Sequence, residues 1–304
     1  MDNFTRSWYN FQMLLAIDLG NTNIVFGLFK GACLVREWRF PSDKYTLPKI
    51  KGQLDRIIVA SVVPGADSKL RKRIQEAYQR LPFFVTASNI PGLKVRLKNK
   101  KEIGADRVVD ALAAKRLYGV PAIVVDFGTA TTFDVISAKG EYLGGAIAPG
   151  ITMARDALYQ KTAKLPKVRI SPPKSVIGRD TVSAMQSGLV HGYVAMVEGM
   201  VKKLKSKIIP HPLNPPLHRR WRGGNPSEAR EGVRIIATGG LAKLICKHTK
   251  VVDRIDAELT LKGLQMVGDY IFSRSAAFRL RSMGANPKGF ATRNKVIVAN
   301  KRRY

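Results

Sequence analysis

Residues 17–23 read IDLGNTN, and residues 125–131 read VDFGTAT. Each is an apolar run that ends in Asp, then Gly, then small hydroxyl or amide side chains. Continuous apolar runs of this kind read as buried strands. Gly20 and Gly128 remove the Cβ that would keep a phosphate oxygen away from backbone N–H groups. Asn21, Thr22 and Asn23 add side-chain donors, and Thr129 and its neighbours add hydroxyls. An Asp at the strand end can hold Mg²⁺ directly or through water. Asp18 and Asp126 are roughly 110 residues apart, about the size of one domain. A chain that makes the same strand and turn twice is expected to fold as two related halves. Both turns would then face one nucleotide in the cleft between them.

The flanking sequence repeats in the same order. IVFGLF (24–29) and CLVREWRF (33–40) read as strands returning from the first turn. The polar stretch 41–56 reads as a helix or a long connection. IIVASVV (57–63) is a buried strand that stops at Pro64-Gly65, and 67–80 has the spacing of an amphipathic helix. A short strand is expected at Phe83 to Val85, and a helix at 105–118. Gly119-Val120-Pro121 ends that helix and marks a hinge. Beyond the hinge come AIVVDFGT (122–129), then TFDVIS (132–137) and YLGGAIAP (142–149) as return strands. Helices are expected at 151–160 and 180–204. VRIIATGG (233–240) mirrors IIVASVV and leads into a helix from Leu241.

This pattern predicts an α/β fold of two duplicated actin-like ATPase (ribonuclease H-like) domains, with mixed sheets flanked by helices. The expected boundaries are 13–118 and 119–274. Residues 209–232, rich in Pro, Arg and Gly, read as an inserted surface loop because their composition builds no core. Residues 1–12 and 275–304 read as extensions, with the fold starting at Met13.

The 304 residues are 45% apolar and 24% charged, ordinary for a soluble protein with ample cores. Two cysteines exclude a disulfide framework and fit a reducing cytoplasmic setting. No apolar run is long enough for a signal peptide or a membrane span. The net charge of +30 is unusual. Its basic residues are scattered along the chain with no aromatic-interleaved motif, so solvated faces are expected rather than a nucleic-acid partner.

Gly104-Ala105-Asp106-Arg107 opens a helix. Asp106 there is either a first-turn residue favoured by the helix dipole or a general base toward a substrate hydroxyl. Arg107 can fork onto an anionic or carbonyl oxygen. Ala237-Thr238-Gly239-Gly240 follows a buried strand and can let backbone lie against adenine or ribose.

The set IDLGNTNIVFG, IGADRVVDALAA, VVDFGTATTFDVI, GGAIAPGI, IGRDTVSAMQSG and IIATGG closely resembles type III pantothenate kinase over roughly residues 13–274. The resemblance implies an actin-like homodimer that uses ATP and Mg²⁺ to phosphorylate pantothenate, the first step to coenzyme A. It implies that Asp18, Leu19, Gly20, Asn21, Thr22, Asn23, Ile24 and Val25 form an ATP phosphate loop and that Thr129 contacts ATP. It implies that Gly104, Ala105, Asp106 and Arg107 bind pantothenate, with Asp106 as proton acceptor. Thr181 is implied as a further substrate contact supplied across the dimer interface. Asp126 is implied as the ligand of a monovalent cation, K⁺ or NH₄⁺. Leu97 stands where the family commonly has Tyr, and Lys100 where Pro is usual. Two rivals share some features: an actin-fold kinase or phosphatase with another acceptor, and a nucleic-acid-associated regulator.

Overall fold

The structure, a computed structural model, describes residues 13–208 and 232–282. The sequence readings for 1–12, for the tail beyond Ser282 and for all but the last residue of the Pro-rich segment fall outside the described residues.

The first sheet opens with an antiparallel meander of β1 (Met13–Leu19), β2 (Asn23–Lys30) and β3 (Cys33–Pro41). Next, β4 (Leu54–Ser61) runs parallel to β1, and α1 (Pro64–Tyr78) returns the chain to β5 (Phe83–Phe84), parallel to β4. The strand order is β3-β2-β1-β4-β5. Strand β1 is almost wholly apolar because both of its faces are covered. Strand β3 lies at the edge and is largely exposed, and its charged residues keep that edge from pairing further. Pro64 suits the first turn of α1, where its missing N–H costs nothing. Residues 42–53 form an irregular connection with no helix. Tyr45, Leu47 and Ile50 anchor it on the sheet's outer core, and Tyr78 Oη donates to the Pro48 carbonyl at 2.7 Å.

The second sheet repeats this plan. The chain passes β6 (Lys94–Val95), a 3-10 turn at Lys100–Glu102 and α2 (Ala105–Leu117). Then β7 (Ala122–Phe127), β8 (Ala130–Ile136) and β9 (Glu141–Pro149) form the meander. Helices α3 (Ile151–Lys161) and α4 (Thr181–Ile208) follow, then β10 (Arg234–Thr238) parallel to β7. Helix α5 (Ala242–Cys246), β11 (Arg254–Ile255) and α6 (Leu259–Ser282) complete the described chain. Read from the other end, β9-β8-β7-β10-β11 repeats the order of the first sheet, with β6 added at the edge beside β9. The register makes the duplication concrete. Asp18 lies between Val25 and Ala60, and Asp126 lies between Thr132 and Thr238. The fold is the expected α/β, actin-like one, two mixed sheets flanked by helices.

Two elements depart from the sequence reading. Strand β6 belongs to the first half of the chain but completes the second sheet, pairing parallel with β9. Helix α6 was not anticipated, and it continues past residue 274 to Ser282.

Side chains alternate along each strand. Leu15, Ile17 and Leu19 point to an outer core shared with Leu70 and Ile74 of α1. Ile123, Val125, Ile235 and Ala237 point to a second outer core under α4 and α5. The alternate residues Leu14, Ala16, Ala122, Val124 and Ile236 point inward. There they meet Val108, Val109 and Leu112 of α2 and Leu261, Leu264 and Val267 of α6. Each large aliphatic side chain buried in this way contributes roughly 1.5–3 kcal/mol. The same alternation carries Asp18 and Asp126 onto the inward faces of their two sheets.

Candidate active site

The β1–β2 turn is pinned from inside and outside. The Gly20 N–H donates to the Asn23 carbonyl at 2.9 Å. Just past β3, Ser42 Oγ donates to the Gly20 carbonyl at 2.6 Å, and the Ser42 N–H donates to the Thr22 carbonyl at 3.0 Å. The β7–β8 turn is held by Gly128 N–H on the Ala130 carbonyl and Gly150 N–H on the Thr129 carbonyl, both at 3.1 Å. The two turns meet directly: Thr22 Oγ1 and Thr129 Oγ1 are hydrogen-bonded at 2.8 Å.

Gly239, which follows β10, packs under the second turn. Its φ of 89° is left-handed, and a Cβ there would collide with Asp126 Oδ1 and lie 2.6–2.7 Å from the Phe127 backbone. The Gly pair that reads as a nucleotide contact thus has a structural duty, setting the position of Asp126.

Asp106 sits in the first turn of α2 and accepts the Arg107 N–H at 2.8 Å. The residue before the helix is Gly104, where a Cβ would collide with Asp106 Oδ1. Only glycine leaves room for the carboxylate to fold back over the helix start. Arg107 turns to the second sheet. Its Nε and Nη2 donate to Asp134 Oδ1 at 2.8 and 2.7 Å. Asp134, fully buried on β8, also accepts Tyr142 Oη at 2.6 Å and Thr132 Oγ1 at 3.0 Å. Asp134 therefore anchors α2 to the second sheet through Arg107. Sequence reasoning passed over it as an ordinary strand residue.

The inward face collects negative charge. Burial, then Asp106 and Asp126, push the Asp18 carboxyl up to about 8, while Arg39 opposes the shift. Burial, then Asp106 and Asp134, push Asp126 up to about 7, again opposed by Arg39. Burial foremost also raises Asp106 and Asp134. A carboxylate with raised proton affinity is a better acceptor for a substrate proton near neutral pH than an ordinary Asp.

Asp110, one turn beyond Asp106 and only 2% exposed, joins this cluster. Burial, and after it Asp126, raise its carboxyl well above the usual range. Thr260 hydrogen-bonds it, yet its Oδ1 has no partner among the described residues. The folded state holds this proton to higher pH than the unfolded chain does. Its stability contribution is therefore full below about pH 4 and is lost as pH rises through the folded value. Asp110→Asn cannot charge and escapes that loss. Urea unfolding at pH 8 should show the variant more stable by about 1–3 kcal/mol, with a smaller difference at pH 4. Equal stability of the two proteins at both pH values would contradict this.

The donor set fits hard cations. The carboxylates and hydroxyls that face one another offer oxygen donors, the ligand type such ions prefer. Among the described residues, no three Asp, Glu, His or Cys side chains form a complete metal site.

The structure thus brings Asp18, Asp106 and Asp126 close to one another, sets Arg107 beside Asp106, and joins Thr22 to Thr129. It does not bring Thr181 to them. Thr181 is exposed and opens α4, which packs on the outer face of the second sheet. Leu97 packs against the inner core, with its Cδ2 near Gly144.

Comparison with known proteins points the same way. The chain matches the family model described as type III pantothenate kinase over residues 14–203. The type III pantothenate kinase of Halalkalibacterium halodurans is 40% identical over 270 residues, covering 84% of this chain and 98% of that protein. That of Moorella thermoacetica is 41% identical with the same coverage. Among solved structures, a Campylobacter jejuni protein of the Baf family superposes with a TM-score of 0.53 at 18% identity. It covers 83% of this chain and 96% of its own, a likeness of fold.

Proposed function

The chain belongs to the type III pantothenate kinase family, and from that premise we propose how its cleft works. The protein is an ATP-dependent kinase that phosphorylates pantothenate to 4'-phosphopantothenate in coenzyme A biosynthesis. The observation that carries the site reading is the 2.8 Å link between Thr22 and Thr129, which brings the two turns together above the inward-facing carboxylates.

ATP binds with its phosphates across Asp18, Leu19, Gly20, Asn21, Thr22, Asn23, Ile24 and Val25 on one side and Thr129 on the other. Gly104, Ala105 and Arg107 hold pantothenate, and Asp106 accepts the proton of its primary hydroxyl as that oxygen attacks in line. In a loose phosphoryl-transfer transition state much of the value of Asp106 lies in orienting the nucleophile. Arg107 is fixed by Asp134, so it presents a preset edge to the substrate. Asp18 would hold Mg²⁺ and Asp126 a monovalent cation, K⁺ or NH₄⁺, whose positive charge would offset that of the triphosphate. The halves 13–118 and 119–274 serve as the two domains that grip the nucleotide. Cytoplasmic residence accords with free Cys33 and Cys246 and with the lack of a membrane-crossing helix among the described residues.

We also read the active protein as a homodimer, with Thr181 reaching the pantothenate site of the partner subunit. Leu143 and Ile147 on β9, Met153 and Tyr159 on α3, and Ile177 and Val182 around the start of α4 are exposed apolar side chains that a partner subunit could cover. Ile147, 66% exposed and held on the regular strand β9, is a suitable target. Ile147→Asp should yield a monomer in sedimentation analysis and lower the affinity for pantothenate. A dimer of unchanged strength would exclude this face.

The function is tested with the purified full chain, ATP, Mg²⁺ and pantothenate, with and without K⁺, beside a panel of sugar acceptors. Formation of 4'-phosphopantothenate and ADP in equal amounts is expected. Preferred transfer to a sugar, or ATP hydrolysis indifferent to pantothenate, would refute it.

A further inference from the structure

The site reading leaves one basic side chain on the cleft unassigned. Arg39 lies on β3, opposite Val25, and Val25 lies opposite Asp18. Asp18, Val25 and Arg39 therefore form one row across three strands, and residues paired in this way share a face of the sheet. Val25 belongs to the inner core, so that face is the inward one. Neighbouring strands are about 4.8 Å apart, which leaves roughly 10 Å between the Asp18 and Arg39 backbones. An Arg side chain spans much of that distance.

The strand that carries Arg39 is fastened to the phosphate turn. Pro41 pairs with Asn23, and Ser42 binds both the Gly20 and the Thr22 carbonyls. The position of Arg39 relative to the turn is thus set by the backbone. Arg39 is the cation whose charge reaches both the Asp18 and the Asp126 carboxylates. Its positive charge therefore acts on both turns at once. Its ion pair with Glu37 is long, 3.7 Å, and half exposed, a geometry worth little.

We infer that Arg39 is a catalytic residue whose guanidinium binds the phosphate chain of ATP from the first-sheet side of the cleft. The inference rests on the kinase reading of the cleft. A guanidinium presents a planar set of donors that matches phosphate oxygens, and its charge stays fixed through the reaction. Held by a strand already tied to the phosphate turn, it needs no reorganisation as charge shifts toward the leaving oxygen.

The test compares Arg39→Ala and Arg39→Lys with Arg36→Ala. Arg36 lies on the same strand but pairs with Leu28 of the outer core and stacks on Trp38, so it faces away from the cleft. Because Arg39 is half exposed, its variants should fold. Calorimetric titration with the non-hydrolysable analogue AMP-PNP and Mg²⁺ should show Arg39→Ala weaker by about 10–100-fold. Arg39→Lys should recover part of the loss, and Arg36→Ala should match the wild type. In turnover, Arg39→Ala should lose about 10²–10³-fold in kcat/KM for ATP. Its KM for pantothenate should stay within about threefold of wild type. AMP-PNP affinity and ATP kinetics within about twofold of wild type would overturn the inference. So would a loss confined to pantothenate binding. The titration needs no acceptor. A wild-type protein that binds AMP-PNP but leaves pantothenate unphosphorylated would sink the substrate reading and still let the titration decide on Arg39.

Discussion

Asp106→Asn should lower kcat by roughly 10²–10⁴-fold, the range for a positioned general base, while leaving the fold at least as stable as before. The two halves of that result follow from one environment. Asp106 lies in the first turn of α2, where the helix dipole favours a negative charge by about 0.3–1 kcal/mol. Against this stand burial and the nearby Asp134, which raise its proton affinity. Relieving a buried charge is worth about 1–3 kcal/mol, so the second effect wins. The Arg107–Asp134 anchor does not use the Asp106 side chain and survives the substitution. A residue kept only to start the helix would show the reverse pattern, losing stability and keeping turnover. Steady-state assays with thermal unfolding on the same preparations separate the two. Turnover near the wild-type value would remove Asp106 as the base.

Asp126→Ala should leave the enzyme indifferent to K⁺, so that the ratio of rates with and without the ion falls to unity. Asp126 ends β7 on the inward face, and its place is set by Gly239 packed beneath it. The surrounding charge is mostly negative, from Asp106 and Asp134, with Arg39 opposing. A large monovalent ion bound there would offset that charge without demanding strict geometry. Removing the carboxylate would take away the charged oxygen donor that the proposed ion site relies on. The fold should tolerate the change, because a buried charge crowded by like charges is lost with it. Rates measured across K⁺ concentrations check this. A variant that keeps the wild-type K⁺ response would take Asp126 out of the cation site.

Much of this architecture was legible because it is written twice. The IDLGNTN and VDFGTAT turns lie at equivalent points of two sheets with the same strand order, and their Asp residues face inward by simple alternation. The helix start at Gly104-Ala105-Asp106 was legible, and the structure places Asp106 in that first turn. Asp134 was not legible. Its role is set by Arg107, 27 residues away, and by Tyr142 on the next strand, and no local pattern reports such a pairing. Asp110 carries no signal of its own in the sequence, and only the packing of α2 between the sheets reveals its burial. Arg39 is one of several charges in the strand CLVREWRF, and only the cross-strand row through Val25 and Asp18 sets it apart. Strand β6 has two residues and no pattern of its own, since the edge of β9 recruits it. Helix α6 could have been read from Leu261, Leu264 and Val267, whose spacing is helical and which all reach the inner core.

The most direct measurement is a structure of the full chain with Mg²⁺, a non-hydrolysable ATP analogue and pantothenate. The predicted result has the triphosphate touching both the 18–25 and the 126–132 turns, with the primary hydroxyl of pantothenate hydrogen-bonded to the Asp106 carboxylate. A nucleotide held by one turn alone, or a hydroxyl out of reach of Asp106, would contradict the account.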